Sequence, residues 1–237
     1  MSLFNTRAKA GSRKERSERF LTSQGVNINP NLPEIANEVD AELKSPEEAV
    51  KRVVCAFLAA QIAIDICNGE TGTESAEFFT GILNSFGLEN ELTADEKKYF
   101  ALADENAPRI SPNDANQFQW RIEMCMPLFW ACGFLGKHDL AFPSDITDTT
   151  DLIKLLGGCR SFEDVMSHVK MHTLSEILDN ADVCLRMDWA CVEARVKNDR
   201  SICGDLMSDV VMEQHKGFNW LIGVFDAEDW DNVRAHT

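Results

Sequence analysis

Apolar positions recur along the chain at intervals of three and four residues, the spacing that places side chains on one face of an α-helix. Polar stretches rich in Pro, Gly, Asn and Asp separate these runs. No segment shows the two-residue alternation of a half-buried strand. Ser12, with Glu15 three residues on, opens a helix that Gly25 stops. Pro30 and Pro33 bias their predecessors away from the helical region, so 26–38 reads as an extended strap pinned by Val26, Ile28, Leu32 and Ile35. Ser45-Pro46-Glu47-Glu48 combines a cap, a proline at the first helical position and a capping box, and its helix runs to about Cys67.

Further starts are legible. Ser75–Phe86 forms a short amphipathic helix ending at Gly87, and Thr93 with Glu96 opens another that ends near Asp104. Ser111-Pro112 with Asp114 begins the most apolar helix, reaching Gly133 or Gly136. Pro127 lies inside it and removes a backbone donor, which predicts a kink there. Thr149–Leu156 closes at Gly157-Gly158, and Ser161 with Asp164 caps a helix to about Lys170. Thr173 with Glu176 starts the long helix Leu174–Lys197, and Leu206–Val224 is the last. The reading is a single all-α domain over 12–237 of about nine helices, with an extended N-terminal strap, a kinked central helix and a flexible basic tail at 1–11.

Charge changes this picture. The formal net charge is -16; residues 1–20 hold six bases and two acids, a net of +4, so the remainder carries -20. Such a body repels phosphate backbones, which argues against a nucleic-acid partner and for a basic protein; the other partner considered is a second copy of the chain. The basic N-terminal helix reads as a solvated amphipathic lead-in. Eight cysteines include no Cys-x-x-Cys pair, and most fall in apolar runs. The start lacks the apolar run of a signal peptide, and the longest apolar run, Met124–Leu135, is 12 residues, too short to span a bilayer. A cytoplasmic protein with reduced thiols, and no membrane partner, is the expectation.

Helical geometry locates a candidate polar centre. On 174–197 the stripe Leu178, Ala181, Leu185, Trp189, Val192 and Val196 is apolar, flanked by Asp182 and Arg186 four residues apart, which reads as an i,i+4 ion pair at the core edge, with Arg186 reaching inward to a buried carboxylate as the sharper alternative. On the central helix Trp120, Glu123, Pro127, Trp130 and Phe134 share a stripe, making Glu123 the one acid on an aromatic ridge. A buried carboxylate must be paired or protonated; pairing with Arg186, as a bridge between the two helices, or with the neighbouring Arg121 would satisfy Glu123, and the Glu123–Arg186 bridge is the hypothesis that follows from the sharper reading. His215 and Asn219 lie one turn apart on the nearly all-apolar last helix, whereas Glu213 points roughly 160° from His215 and cannot cooperate with it. An imidazole on an apolar face reads as a hydrogen-bonded core residue, with acid/base work as the sharper alternative.

The catalytic templates fail. His168 and His172 have metal-ligand spacing but straddle a helix end and lack the glutamate of His-Glu-x-x-His; no metal site is expected. There is no Gly-x-Ser-x-Gly, Walker loop or Gly-x-Gly-x-x-Gly, and nothing implies a cofactor. Arg13-Lys-Glu-Arg-Ser-Glu-Arg-Phe-Leu with Asn29-Pro-Asn-Leu-Pro, Trp120-Arg-Ile-Glu with Leu128-Phe-Trp-Ala-Cys-Gly, Asp182-Val-Cys-Leu-Arg-Met-Asp-Trp-Ala, Glu213-Gln-His-Lys-Gly-Phe-Asn-Trp-Leu and Asp229-Trp-Asp-Asn-Val, in that order and spacing, resemble the domain-of-unknown-function 4272 family. The chain departs from that pattern at Gln214, where a basic residue is usual, and at Ala235-His236, where an acid is.

The resemblance implies a soluble, mainly bacterial domain and no particular activity. It implies that Trp120, Glu123, Asp182, Arg186, Trp189, Glu213, His215, Asn219, Trp220, Trp230 and Asp231 belong to shared motifs. The candidate polar centre is Glu123, Asp182, Arg186, His215 and Asn219, framed by Trp120, Trp130, Trp189, Trp220 and Trp230. The absent templates favour a non-catalytic protein-interaction module with an acidic surface. The alternative is a small-molecule-binding protein or enzyme whose pocket is lined by Glu123, Arg186, His215 and Asn219.

Overall fold

The capping boxes at Ser12, Ser45, Thr93 and Thr173 all form, each with the side-chain oxygen accepting from the third residue on and the glutamate accepting from the cap backbone. Ser111 and Ser161 cap their helices in the same way, accepting from the backbone N–H of Asp114 and Asp164. The computed structural model describes residues 11–135, 140, 142–225 and 227–237; most of the tail expected at 1–11, and Gly136, lie outside them. The helices are α1 Arg13–Ser23, α2 Pro46–Cys67, α3 Thr73–Phe86, α4 Ala94–Phe100, α5 Pro112–Phe118, α6 Arg121–Ala131, α7 Thr150–Gly158, α8 Phe162–Ser167, α9 Leu174–Lys197 and α10 Ser208–Ile222. No strand occurs among the described residues, and the all-α class stands.

One continuous core holds these helices. α2 is buried without a break from Val53 to Ala63, because its side chains there, apart from Gln61, are small or apolar on every face. α6 is buried from Ile122 to Ala131. α10 packs on α6 and on α9, α6 on α2, and α1 on the far side of α9. Each large side chain so buried contributes about 1.5–3 kcal/mol. Gly217 sets the closest α10–α6 approach: a Cβ there would meet the Met124 carbonyl oxygen at 2.2 Å.

Several expectations are corrected. The helix expected from Ser111 is two helices, α5 and α6. The break falls at Gln119 and Trp120, where Ile122 and Glu123 donate to carbonyls three residues back; Pro127 sits inside α6. Gly157 and Gly158 are the last residues of α7 rather than its stop. The stripe on α9 turns out rotated near its C-terminus: Val196 is 74% exposed and Trp189 half-buried, while Met187, Asp188, Ala190, Cys191 and Ala194 are buried. The physical reason is that α9 lies between α1 and α10, so both flanks of its middle turns are covered. α1 is not merely a solvated lead-in, since Arg13, Ser17 and Leu21 are buried against α9.

The strap crosses α9. It is pinned by buried Val26 and Ile35, with Ile28 and Leu32 packed partly against the core. Its entry is fixed by the Asn27 N–H, which donates to Ile202 O at 2.9 Å. Beyond it, Glu42 and Lys44 N–H donate to Ile222 O and Leu221 O, satisfying carbonyls at the open end of α10. No helix is long and apolar enough to cross a membrane among the described residues.

Candidate functional site

Arg186 and Asp182 both project from α9 into the layer under the strap, with Arg186 1% and Asp182 0% exposed. They form a bidentate pair, Nε to Oδ2 at 2.9 Å and Nη2 to Oδ1 at 3.2 Å. The remaining guanidinium donors reach Leu32 O at 3.3 Å, Pro33 O at 3.1 Å and Glu18 Oε1 at 3.4 Å. Asp182 Oδ1 also accepts from the Ile35 N–H at 3.1 Å. The pair therefore supplies hydrogen-bond partners to a strap that, being extended, cannot supply its own. A second clasp lies one turn back on α9, where Asp179 accepts from Arg13 Nε at 3.1 Å and from Arg16.

The expected Glu123–Arg186 bridge does not exist. Glu123, 1% exposed, accepts from the Thr147 N–H at 2.7 Å, the Thr147 hydroxyl at 2.9 Å and Gln214 Nε2 at 3.2 Å. Hydrogen bonds satisfy this carboxylate, and no cation contacts it among the described residues. The loop carrying Thr147 supplies what α9 was expected to supply. Gln214 offers the carboxylate an amide and not a charge. Arg121 is also engaged elsewhere, donating to Asp231 Oδ1 at 2.6 Å and Asp95 Oδ2 at 3.3 Å.

His215 is fully buried, as expected of a hydrogen-bonded core residue. Its Nδ1 lies 2.9 Å from Asp188 Oδ2, and Asp188 is 3% exposed. Periodicity alone missed Asp188, although its neighbours one turn away, Cys184, Leu185 and Cys191, are all apolar and hint at burial. Asn219 donates to Arg234 O at 3.0 Å and so holds the C-terminal segment. Glu213 ion-pairs with Lys216 on the other side of α10, apart from His215, and burial pushes its carboxyl up.

The tryptophans do not form one frame. Trp130 stacks on His172, centroids 4.4 Å apart, which engages one member of the His168/His172 pair in packing. Trp220 meets Trp230 edge to face at 5.3 Å, with Lys44 over the first ring and Arg52 over the second. Trp120 and Trp189 are half-buried. Asp231, beside Trp230, accepts from the Thr93 hydroxyl at 2.9 Å and the Asp95 N–H at 3.2 Å, so the C-terminal 3-10 turn caps α4. Burial pushes the Asp231 carboxyl up, but the hydrogen bond and charge of Arg121, with the Asp95 and Thr93 donors, outweigh it and hold the group below its usual value. Glu96 is buried deeper, and there burial wins over the paired Arg52, so its carboxyl is raised.

Glu123, Arg186, His215 and Asn219 line none of three cavities: a small void, a depression and a groove. The void, about 10 Å³, touches Gln214 and Asn180 and has room for about one water. A depression of about 460 Å³ lies between the strap and the end of α10, bordered by Glu34, Asp40 and Phe225. A groove of about 780 Å³ is formed by α4, α5 and the segment between them. Among the described residues no cluster of His, Cys, Asp and Glu could hold a metal, and all eight cysteines are free.

The family model described as domain of unknown function (DUF4272) matches residues 13–233, nearly the whole chain. No curated protein and no solved structure matches it.

Proposed function

The chain belongs to the family defined by the domain of unknown function DUF4272, and from that premise we propose that it is a non-catalytic protein-interaction module whose acidic exterior receives a basic protein partner. One observation carries this reading. The polar groups of the candidate centre are turned inward, and each makes at least one bond that joins segments, while His215 Nε2 and Asn219 Oδ1 are left without a hydrogen-bond partner. Asp182, His215 and Asn219 are 0% exposed and Glu123 and Arg186 1%, and each has a partner within the chain. A general acid or base must reach the atom it serves, and none of these groups lines the groove or the depression described above. The charge excess of the body is then left to the surface, where it speeds encounter with a cationic protein. Like charge disfavours a second copy of the chain as the partner. The eight free cysteines support a reducing, cytoplasmic setting.

The test is capture on the immobilised full chain at low salt, followed by a salt gradient. A specific basic protein that elutes sharply as salt rises supports the module. Recovery of nothing beyond background counts against it.

A further inference from the structure

We propose that the groove between α4 and α5 is a binding site for a small organic anion, a carboxylate or phosphate carried on an apolar body. This site is separate from the polar centre and from the acidic exterior proposed above to receive a protein. The groove's volume of about 780 Å³ falls within the range of small-molecule pockets, roughly 300–1,000 Å³.

Its charge runs against that of the chain. Lys97, Lys98, Arg109 and Arg121 line it, against Asp95 and Asp114, whereas the chain as a whole has 23 bases and 39 acids. Both acids are already engaged. Asp95 bridges Lys98 at 2.6 Å and Arg121 at 3.3 Å, and Asp114 accepts from the Ser111 hydroxyl at 2.7 Å at the start of α5. Arg121 is held by Asp231 at 2.6 Å and lies over the Phe118 ring at 4.7 Å. Lys97 and Arg109 are exposed and have no acidic partner among the described residues. They are the two donors left for a ligand's anionic group, while Ala101, Pro108 and Ile110 offer apolar wall to its body.

The same charge argument sets the size of the ligand. A polyanion such as nucleic acid, or a long acidic peptide, extends over the -20 body and is repelled. A ligand with one or two charges sits within the groove, and beyond about 8 Å at physiological ionic strength the acids of the body are screened from it. Local cations then decide the balance.

The experiment is a backbone-amide NMR titration of the full chain at physiological salt with phenyl phosphate, phenylsuccinate and an oligoglutamate peptide. The expected result is saturable shifts for phenyl phosphate or phenylsuccinate, confined to 97–101, 108–110 and 117–121, with a Kd of about 1 mM or tighter. Which of the two binds more tightly identifies phosphate or carboxylate as the natural group. The double variant Lys97→Ala/Arg109→Ala, at two exposed positions without partners, should weaken binding at least about tenfold with all other shifts unchanged. The control Lys154→Ala, on α7, should bind like the parent. Absence of saturation with both small anions, undiminished affinity in the double variant, equal weakening by the control, or tighter binding of oligoglutamate at these amides would each overturn the proposal. None of these results bears on capture of a basic protein, so the two readings stand or fall separately.

Discussion

Arg186 grips Asp182 one turn back on the same helix, Nε to Oδ2 at 2.9 Å, and spends its remaining donors on carbonyls of the strap. Two buried charges thus neutralise each other and at the same time hold an extended segment that has no sheet or helix to complete its hydrogen bonds. Replacing Arg186 with Met leaves Asp182 charged and buried and leaves Leu32 O and Pro33 O without donors. The expected loss is about 3–5 kcal/mol. Hydrogen exchange should locate it, with protection falling first at Asn27 and Ile35 while α2 and α6 stay protected. Uniform loss across the chain would mean that the pair supports the whole core and not the strap.

His215 and Asp188 form the second buried pair, joining α10 to α9 at 2.9 Å. His215→Leu strands a carboxylate that is 3% exposed and should cost about 3–5 kcal/mol in denaturant unfolding. The double variant His215→Leu/Asp188→Leu removes both polar groups and should cost clearly less than the two single changes added together. Additive costs would show that the pair contributes no coupling.

Gly217 faces the Met124 carbonyl oxygen, with the Pro127 ring close by. Alanine would improve intrinsic helix propensity by about 1 kcal/mol. The clash is the larger effect, because the atom met at 2.2 Å is backbone and cannot swing aside. Forcing α10 away from α6 should cost about 1–3 kcal/mol or more, so Gly217→Ala is expected to lower the urea midpoint. Gly81, with nothing within 4 Å of its added Cβ, is the control, and Gly81→Ala should be neutral or stabilising.

Asp231 makes stability depend on pH. Its carboxyl is held below the usual value in the folded chain, by Arg121 above all. A depressed acid contributes stability above its unfolded pKa, about 3.9, and loses it as pH falls through the folded value. Asp231→Asn should therefore cost about 1–3 kcal/mol at pH 7, the scale of charge-assisted hydrogen bonds. The gap from the parent protein should narrow as pH drops below about 4. A gap that stays constant from pH 7 to pH 3 would mean that the charge of Asp231 contributes nothing.

What the sequence determined by itself was local. Capping boxes at Ser12, Ser45, Thr93 and Thr173 act over three residues, and prolines 30 and 33 act on their neighbours, so helix starts and the strap are legible from spacing alone. Periodicity also put Glu123 and His215 on apolar faces and Arg186 four residues from Asp182 at the core edge, because a side chain's direction on a helix follows from its own position. The choice of partner was decided by tertiary structure. Direction says that a charge points inward, not what arrives opposite it. A loop bearing Thr147 reached Glu123 first, the strap and Glu18 kept Arg186 with Asp182, and the covering of both flanks of α9 buried Asp188 beside His215. The anion groove belongs to the same class of fact. Lys97 and Arg109 come from separate segments, and only the packing of α4 and α5 brings them to one cleft.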